Sequence, residues 1–272
     1  MDIQLLGMFS VRVENRSVVP TAVMPRRMMA LLASHANKVV PISSLCEELW
    51  EERFPRSMEI TLQTYVFHLR TLINSALGKT PPENGGLAKN ALVARPGGYL
   101  LDTLGGTIDA AEFDRLAEAG RHAREAGNFS TASRRFNEAL ALWKGPPLTD
   151  VQVGPVLEAE AVRLHRSHLN LLESRVDVEL RMGRHREMVR ELTAMVERYR
   201  THEGLSAHLM IAFYRSGRQR EAIEVFRRLR FHLLSELGVE PSPQLQRLRH
   251  LILTRDTRLK APCNDVDRLT RT

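Results

Sequence analysis

The sequence predicts a mainly α protein made of an N-terminal α+β domain and an all-α domain of helical repeats. Three observations support this fold class. Short alternating strands flank three amphipathic helices in the N-terminal part of the chain. The remainder is almost continuously helical in its hydrophobic periodicity. Within that remainder, glycines recur in a similar apolar context, which is typical of a repeat architecture.

Composition fits two ordinary globular domains. The chain has 272 residues, 43% hydrophobic and 26% charged, so each part is long enough for its own core. A net charge of +7 suits an anionic partner such as nucleic acid. Up to residue 106, however, 11 Lys and Arg oppose 9 Asp and Glu, an excess of only two. Charge alone is therefore weak support for nucleic-acid binding, and the prediction depends on the layout of the predicted helices and strands.

The chain opens with two predicted strands and a helix. Ile3–Gly7 and Ser10–Glu14 alternate between apolar and polar residues and are predicted to form a small sheet. Pro25 opens the helix, because proline is tolerated at helix starts. Met28 and Leu31 lie on its predicted inner face.

Residues 39–77 have the layout of a helix-turn-helix. Ser44 and Glu47 form a capping box, which predicts the start of a first helix that ends near Trp50. The proline within Arg53–Arg56 breaks this helix. The apolar residues of a longer helix then recur at three- and four-residue steps: Leu62, Val66, Leu69, Ile73 and Leu77.

The opposite face of the longer helix is mostly polar, and its side chains can contact base edges in a major groove. We expect base readout by six residues: Thr61, Gln63, Thr64, Phe67, His68 and Thr71. Phe67 either packs on a thymine methyl group or belongs to an inter-subunit contact, and the thymine is favoured. An ordinary amphipathic surface helix would show the same pattern, so the flanking elements matter.

A predicted β-hairpin follows, with strands Ala91–Arg95 and Tyr99–Leu101 joined by Pro96–Gly98. After a recognition helix such a hairpin is a wing, so the first domain is predicted to be a winged helix-turn-helix. Contacts to the DNA backbone position a protein without carrying sequence information. We expect them from four arginines: Arg26, Arg27, Arg70 and Arg95. The first two also fit solvated surface charges.

Three glycines mark predicted helical repeats. Gly183 and Gly217 lie 34 residues apart, which is the tetratricopeptide period, and Gly127 begins a further copy. Small or apolar residues follow at the same three offsets: Ala132, Phe136, Ala139, Met188, Leu192, Met195, Ala222, Phe226 and Leu229. A non-repetitive helical bundle is the alternative.

These elements predict three segments: a winged helix-turn-helix domain at 1–106, a tetratricopeptide-like domain at 107–255 and a disordered tail at 256–272. No secretory signal and no membrane-spanning run is visible. Cys46 and Cys263 form no metal or redox motif. We therefore expect a cytoplasmic, nucleoid-associated protein.

The sequence shows no motif for catalysis. His165 and His168 lie three residues apart, but no third ligand and no His-Glu-x-x-His motif accompanies them. A Ser-His-Asp arrangement and a glycine-rich phosphate loop are also lacking from the sequence. We expect no enzyme activity, no metal and no cofactor.

Motifs along nearly the whole chain resemble the Streptomyces antibiotic regulatory protein family. In the first part these are Leu5–Gly7, Pro25–Arg27 and Leu62–Val66, and in the second Trp143–Leu148 and Glu236–Ser242. The first domain also resembles the winged helix of OmpR/PhoB-type regulators. The second resembles the bacterial transcriptional activator domain of the same family.

The resemblance implies a transcriptional activator of an antibiotic or other secondary-metabolite gene cluster. Members bind direct repeats in double-stranded DNA near the −35 element and engage the RNA polymerase holoenzyme through its sigma factor and other subunits. The chain is accordingly expected to dimerise on DNA. Two alternatives remain: a repeat-protein adaptor whose first domain no longer binds DNA, and a repressor that uses the same winged helix.

Overall fold

The computed structural model describes residues 1–51, 55–77 and 88–260, which form two compact units. The first unit contains Met1–Leu116 and Glu138–Leu169. The second contains Ala117–Asn137 and the residues from Asn170 onward. Residues 138–169 fall in the first unit of this division, and the segment boundary at residue 106 stays a prediction.

A three-stranded antiparallel sheet begins the first unit, in the order β1 (Asp2–Gln4), β2 (Ser10–Val13) and β3 (Arg16–Ser17). The first two strands are predicted, and the third is not. It follows a tight turn in which Glu14 and Asn15 have φ of 47° and 65°. Glutamate is uncommon in that left-handed region, so the turn gives no sequence signal.

Three helices follow, as the sequence predicts: α1 (Val23–Ser34), α2 (Ile42–Trp50) and α3 (Met58–Ala76). Their apolar faces form the core of the first unit, where Leu45 and Leu69 are fully buried. Burial of these faces is what turns three short helices into a stable helix-turn-helix, since such helices are marginal alone.

The predicted capping box of α2 is wrong. The helix begins at Ile42, with Pro41 as its N-cap, and no side chain caps it. The preceding strand, β4 (Val39–Pro41), leads directly into the helix. Ser44 and Glu47 therefore lie within the helix rather than at capping positions. Of the predicted break that follows, positions 53 and 54 lie outside the described residues.

A second antiparallel sheet forms the wing, in the order β4, β6 (Gly98–Leu101) and β5 (Leu92–Arg95), and a short helix α4 (Ala88–Ala91) precedes it. The hairpin is confirmed, whereas β4 is not predicted. At Gly98 an added Cβ would lie 2.2 Å from the carbonyl oxygen of Val40. The close approach of these strands therefore requires glycine.

From residue 109 the described chain is mostly helical, which confirms the predicted fold class. The helices are α5 (Asp109–Glu125), α6 (Phe129–Leu140), α7 (Pro155–Arg181), α8 (His185–Arg198), α9 (Glu203–Arg215), α10 (Gln219–His232) and α11 (Pro243–Leu253). A π-helical turn, Leu233–Leu237, continues α10. Across residues 1–51, 55–77 and 88–260, no helix combines the length and apolarity that a membrane span requires.

The three repeat glycines form the same turn between α5 and α6, between α7 and α8, and between α9 and α10. Gly127, Gly183 and Gly217 have φ of 75°, 80° and 79°. In each case the glycine amide bonds the carbonyl three residues earlier, and the next amide bonds the carbonyl five residues before it. This pairing ends a helix at a left-handed residue, which glycine adopts without strain.

The residues at the predicted repeat offsets face the interior. Eight of the nine are buried, and Met195 is partly buried against the core that contains Met188 and Leu192. At Gly120 an added Cβ would lie 2.3 Å from Cε1 of Phe136, so α5 and α6 pack closely through a residue without a side chain. The repeat interpretation of the second unit is therefore confirmed in its turns and its packing.

The predicted disordered tail begins too early. Thr257–Lys260 forms a 3-10 turn, and Leu259 is buried in the apolar core of the second unit. The Leu259 carbonyl accepts a hydrogen bond from Nε of Arg215 at 2.8 Å. One apolar side chain thus anchors an otherwise polar segment. Residues 261–272, with Cys263, lie outside the described residues.

Candidate nucleic-acid interface

Helix α3 exposes the face that the sequence assigns to base readout. Its apolar residues, Leu62, Leu69 and Ile73 among them, are buried in the first unit. Of the six residues predicted to read bases, Thr61 is half-buried. The other five are exposed: Gln63, Thr64, Phe67, His68 and Thr71. One accessible surface thus carries an amide, an imidazole, hydroxyls and an aromatic ring.

The threonine hydroxyls on this face donate to the backbone of their own helix. Thr61, Thr64 and Thr71 each bond the carbonyl oxygen four residues earlier, at 3.0, 2.9 and 3.0 Å. Threonine makes such bonds when it lies inside a helix. Each hydroxyl can therefore accept a further hydrogen bond, but its proton is already committed.

Arg70, which was expected on the DNA backbone, is bound to the wing. Its Nε and Nη2 donate to the carbonyl oxygen of Leu92 at 3.1 and 2.9 Å, and the side chain is half-buried. Two donors on one acceptor hold helix α3 against strand β5. In this structure Arg70 therefore positions the wing relative to the recognition helix.

Arg95 lies where the sequence expects it, exposed at the end of β5. It pairs with Gly98 across the hairpin, and the two-residue turn between them contains Gly97 at φ 76°. Its guanidinium is therefore near the tip of the wing and accessible to a phosphate.

Arg27 does not have the expected accessibility. Its side chain is buried, with Nε donating to the carbonyl of Gln152 at 2.6 Å and Nη1 to that of Glu48 at 3.1 Å. Arg26 is partly exposed and forms an ion pair with Asp150. Both partners at positions 150 and 152 are far away in sequence, which is why local reasoning placed both arginines on the surface.

Glu48 was missed by the sequence reasoning although it is completely buried. Its carboxylate accepts hydrogen bonds from the amides of Gly154 at 2.6 Å and Leu157 at 2.9 Å. These amides lie at the start of α7, so Glu48 satisfies donors that a helix leaves unpaired. Burial raises the pKa of the Glu48 carboxyl, while these amides and Arg27 oppose the rise. A charged residue beside Leu49 on an inner helix face is the signal that would have found it.

Two aspartates make similar long-range bonds to the first sheet region. Asp109 accepts hydrogen bonds from the amides of Leu5 and Leu6 at 2.8 to 3.0 Å, and burial raises the pKa of its carboxyl. Asp150, the partner of Arg26, also accepts from the amide of Phe9 at 2.6 Å. Residues beyond position 106 therefore supply hydrogen-bond partners to the first unit's N-terminal backbone.

The two histidines of α7 have different surroundings. His168 stacks on Trp143, with ring centroids 4.2 Å apart, and His165 is exposed. In the part of the chain that the structure describes, no group of three His, Cys, Asp or Glu side chains is placed to hold a metal ion.

Comparison with known proteins agrees with this picture. Residues 108–253 match the family described as the bacterial transcriptional activator domain. The chain is 44% identical over 256 residues to the regulatory protein DnrI of Streptomyces peucetius. The aligned region covers 94% of this chain and 93% of that protein. It is 36% identical to the regulatory protein AfsR of Streptomyces coelicolor over 86% of this chain but only 22% of that longer protein.

A solved structure has the same fold. Mycobacterium tuberculosis EmbR, in complex with a low-affinity phosphopeptide, matches with a TM-score of 0.84 at 29% sequence identity. The match covers 99% of this chain and 68% of that one. The match therefore extends over both the winged-helix part and the helical repeats of this chain.

Proposed function

Because the chain belongs to the Streptomyces antibiotic regulatory protein family of transcriptional regulators, we propose that it is a sequence-specific DNA-binding activator of a secondary-metabolite biosynthetic gene cluster. Its relatives are regulators, so it is a regulator and not an enzyme. Acting on chromosomal promoters, it would work in the cytoplasm in association with the nucleoid.

One observation supports this function above the others: the exposed face of α3 lies on a helix whose opposite face is buried, beside a wing that ends in an accessible Arg95. In winged-helix proteins the recognition helix enters the major groove and reads base edges. Gln63 and His68 supply side-chain donors and acceptors for this readout. An adaptor protein would have no use for such a face.

We propose a direct repeat near the −35 element as the operator and a dimer on DNA as the bound form. A single winged helix contacts few base pairs, so two copies on tandem half-sites gain affinity through effective concentration. Half-sites about one helical turn apart place both copies on one face of the duplex. The RNA polymerase holoenzyme, through its sigma factor and other subunits, is the proposed partner of the DNA-bound dimer.

Footprinting of the full chain on promoters beside its own gene, with and without RNA polymerase holoenzyme, tests these points together. We expect a protected direct repeat and stronger polymerase protection when the protein is present. Inserting five base pairs between the half-sites should abolish cooperative binding. Absence of any protected site would favour the adaptor alternative, and protection with reduced polymerase occupancy would favour the repressor.

The wing can be tested separately. Arg95→Ala should weaken binding to all duplexes alike and lower the log–log salt dependence by about one unit, because one phosphate contact is lost. Arg186→Ala removes an exposed arginine from α8 and is the matched control. A loss confined to the cognate duplex would instead show that Arg95 reads bases.

A further inference from the structure

The outward face of α3 carries an apolar strip beside its polar groups. Ile60 is 67% exposed and Phe67 is 73% exposed. At about 100° per residue, these two side chains together with Thr64 and Thr71 span about 60° of the helix circumference. Apolar side chains exposed together on one surface mark a place of binding more often than chance exposure does.

The two threonines belong to this strip because of how their hydroxyls are bonded. Thr64 donates to the carbonyl of Ile60, and Thr71 donates to the carbonyl of Phe67. Both side chains are exposed, and the hydroxyl protons are turned to the helix backbone. What each threonine offers to a partner is therefore its methyl group and an oxygen that can only accept.

We infer that the strip formed by Ile60, Thr64, Phe67 and Thr71 recognises the C5-methyl groups of thymines in the major groove. The inference rests on the proposed DNA-binding function and specifies what helix α3 reads there. Thymine is the base that carries a methyl group in the major groove, and threonine methyls and phenylalanine contact it. Ile60, which has no polar atom in its side chain, thereby becomes a specificity residue.

The surroundings of the strip favour duplex DNA over an apolar protein surface. Gln63 and His68 lie about 40° to either side of the strip, where they can reach the polar edges of the same or neighbouring base pairs. Arg56, before the helix, and Arg95, on the wing, are both exposed. A narrow apolar strip between polar readers and flanking cations matches methyl groups set among polar base edges and phosphates.

Helix geometry also predicts the spacing of the thymines. Ile60 and Phe67 are two helical turns apart, about 10.5 Å at 1.5 Å per residue. Successive bases of one strand rise by about 3.4 Å. A helix that follows the groove is inclined to the duplex axis, so each base step takes up more than this rise along the helix. The methyl groups that these two residues contact should therefore lie about two to three base steps apart.

The test begins with selection of duplexes by the full-length protein from a random-sequence pool. Each conserved thymine of the selected half-site is then replaced by deoxyuridine, which removes the methyl group and leaves base pairing unchanged. Loss of one buried methyl should weaken binding about fourfold, the equivalent of ~0.8 kcal/mol. The sensitive positions should include two that lie about two to three steps apart.

A matched pair of substitutions separates the methyl group from the hydroxyl. Thr64→Val keeps a methyl group and removes the hydroxyl, so it should bind the selected duplex within about twofold of the wild type. Thr64→Ser keeps the hydroxyl and removes the methyl, so it should lose about fourfold. The opposite ranking would assign readout to the hydroxyl and overturn the inference.

Phe67→Ala should bind thymine and deoxyuridine duplexes equally at one position and retain discrimination at the others. Phe231→Ala, which removes a 68% exposed phenylalanine from α10, should leave discrimination unchanged. If Phe67→Ala alters dimerisation but not the thymine preference, the strip is an inter-subunit contact and the inference is wrong.

Two different results would contradict the methyl readout and the proposed DNA-binding function. Selection of a specific sequence whose thymines tolerate deoxyuridine would overturn the methyl readout and leave DNA binding intact. Failure to enrich any sequence would overturn the proposed DNA-binding function, and the methyl readout with it.

Discussion

The contacts inside the first unit differ in kind from those inside the second. In the second unit, helices that are neighbours in sequence pair through one repeated glycine turn, and apolar residues such as Leu192 and Phe226 fill the core. In the first unit, charged groups join segments that are far apart: Glu48 bonds Gly154, and Asp109 bonds Leu5, each across more than 100 residues.

From these contacts we expect the winged helix to depend on residues beyond position 106 for its stability. Asp109, Asp150 and the amide donors to Glu48 all lie within residues 108–253, the region that matches the activator domain. The family match begins at residue 108, whereas the first unit runs to Leu116 and also includes Glu138–Leu169. The repeats, in contrast, obtain their stability mainly from adjacent pairs.

The largest expected effect comes from cutting the chain at the predicted boundary. Residues 1–106 alone should fail to unfold cooperatively, because Glu48, Arg27 and the amides of Leu5 and Leu6 would lose their partners. Residues 1–169 should retain a cooperative transition. Urea unfolding of both fragments, followed by circular dichroism, makes this comparison, and cooperative folding of the shorter fragment would contradict it.

A single substitution should show the same dependence. Glu48→Ala leaves two buried amides unpaired at the start of α7 and should cost about 3 kcal/mol of unfolding free energy. Both tryptophans, Trp50 and Trp143, lie in the first unit, so their fluorescence follows its unfolding. Glu47→Ala, at an exposed neighbour, should change stability by less than about 0.5 kcal/mol. Equal effects of the two variants would refute the capping role.

Substitutions in the second unit should have smaller and more uniform effects. Gly183→Ala and Gly217→Ala place a Cβ in the left-handed region, which costs about 1–2 kcal/mol, and nothing lies within 4 Å to add a clash. The two costs should be similar and should leave the tryptophan transition unchanged. Gly145→Ala, in the first unit and outside the left-handed region, is the control and should not carry this backbone cost. Unfolding free energies from circular dichroism would reveal any inequality.

The smallest effect is an opposite response of the two units to pH. Burial raises the pKa of the Glu48 and Asp109 carboxyls, so the first unit gains stability from them at low pH and loses it as pH rises through the raised values. Asp2, whose pKa is lowered by its hydrogen bonds to Thr107, opposes this trend from an exposed position. The net expectation is a first unit that tolerates mild acid.

In the second unit the sign is reversed. Burial, with Arg215 nearby, lowers the pKa of His185, so the stability it contributes is present above its ordinary value of 6.5 and is lost as pH falls. When the pH is lowered from 7 to 5, the urea midpoint should therefore fall more by circular dichroism, which includes the second unit, than by tryptophan fluorescence, which reports the first. His185→Gln should remove most of this difference, and a fall of both signals together would contradict it.

The sequence was sufficient where contacts are local. The burial of α3 through Leu62, Leu69 and Ile73 follows from periodicity, and so do the glycine turns of the repeats. Strand β4 was missed because three residues carry too little pattern, and its close pairing depends on Gly98 from a distant segment.

The candidate interface was only partly readable for the same reason. Exposure of Gln63 and His68 follows from the helix face, but the partners of Arg26, Arg27 and Arg70 do not. An arginine looks the same in sequence whether it faces solvent or a carbonyl from another segment. Position along a helix predicts a face, and only the folded chain shows what covers that face.

The glycine turns have a consequence for how this chain can change in length. Residues 184–217 begin after one such turn and end with the next, so the segment is a removable module with equivalent ends. Deleting or duplicating it would rejoin helices through a turn of the same geometry. Insertions of other lengths inside α8 or α9 would rotate the apolar face of the helix away from the core. A whole helix pair is therefore the natural unit by which protein engineers could lengthen or shorten this half of the chain.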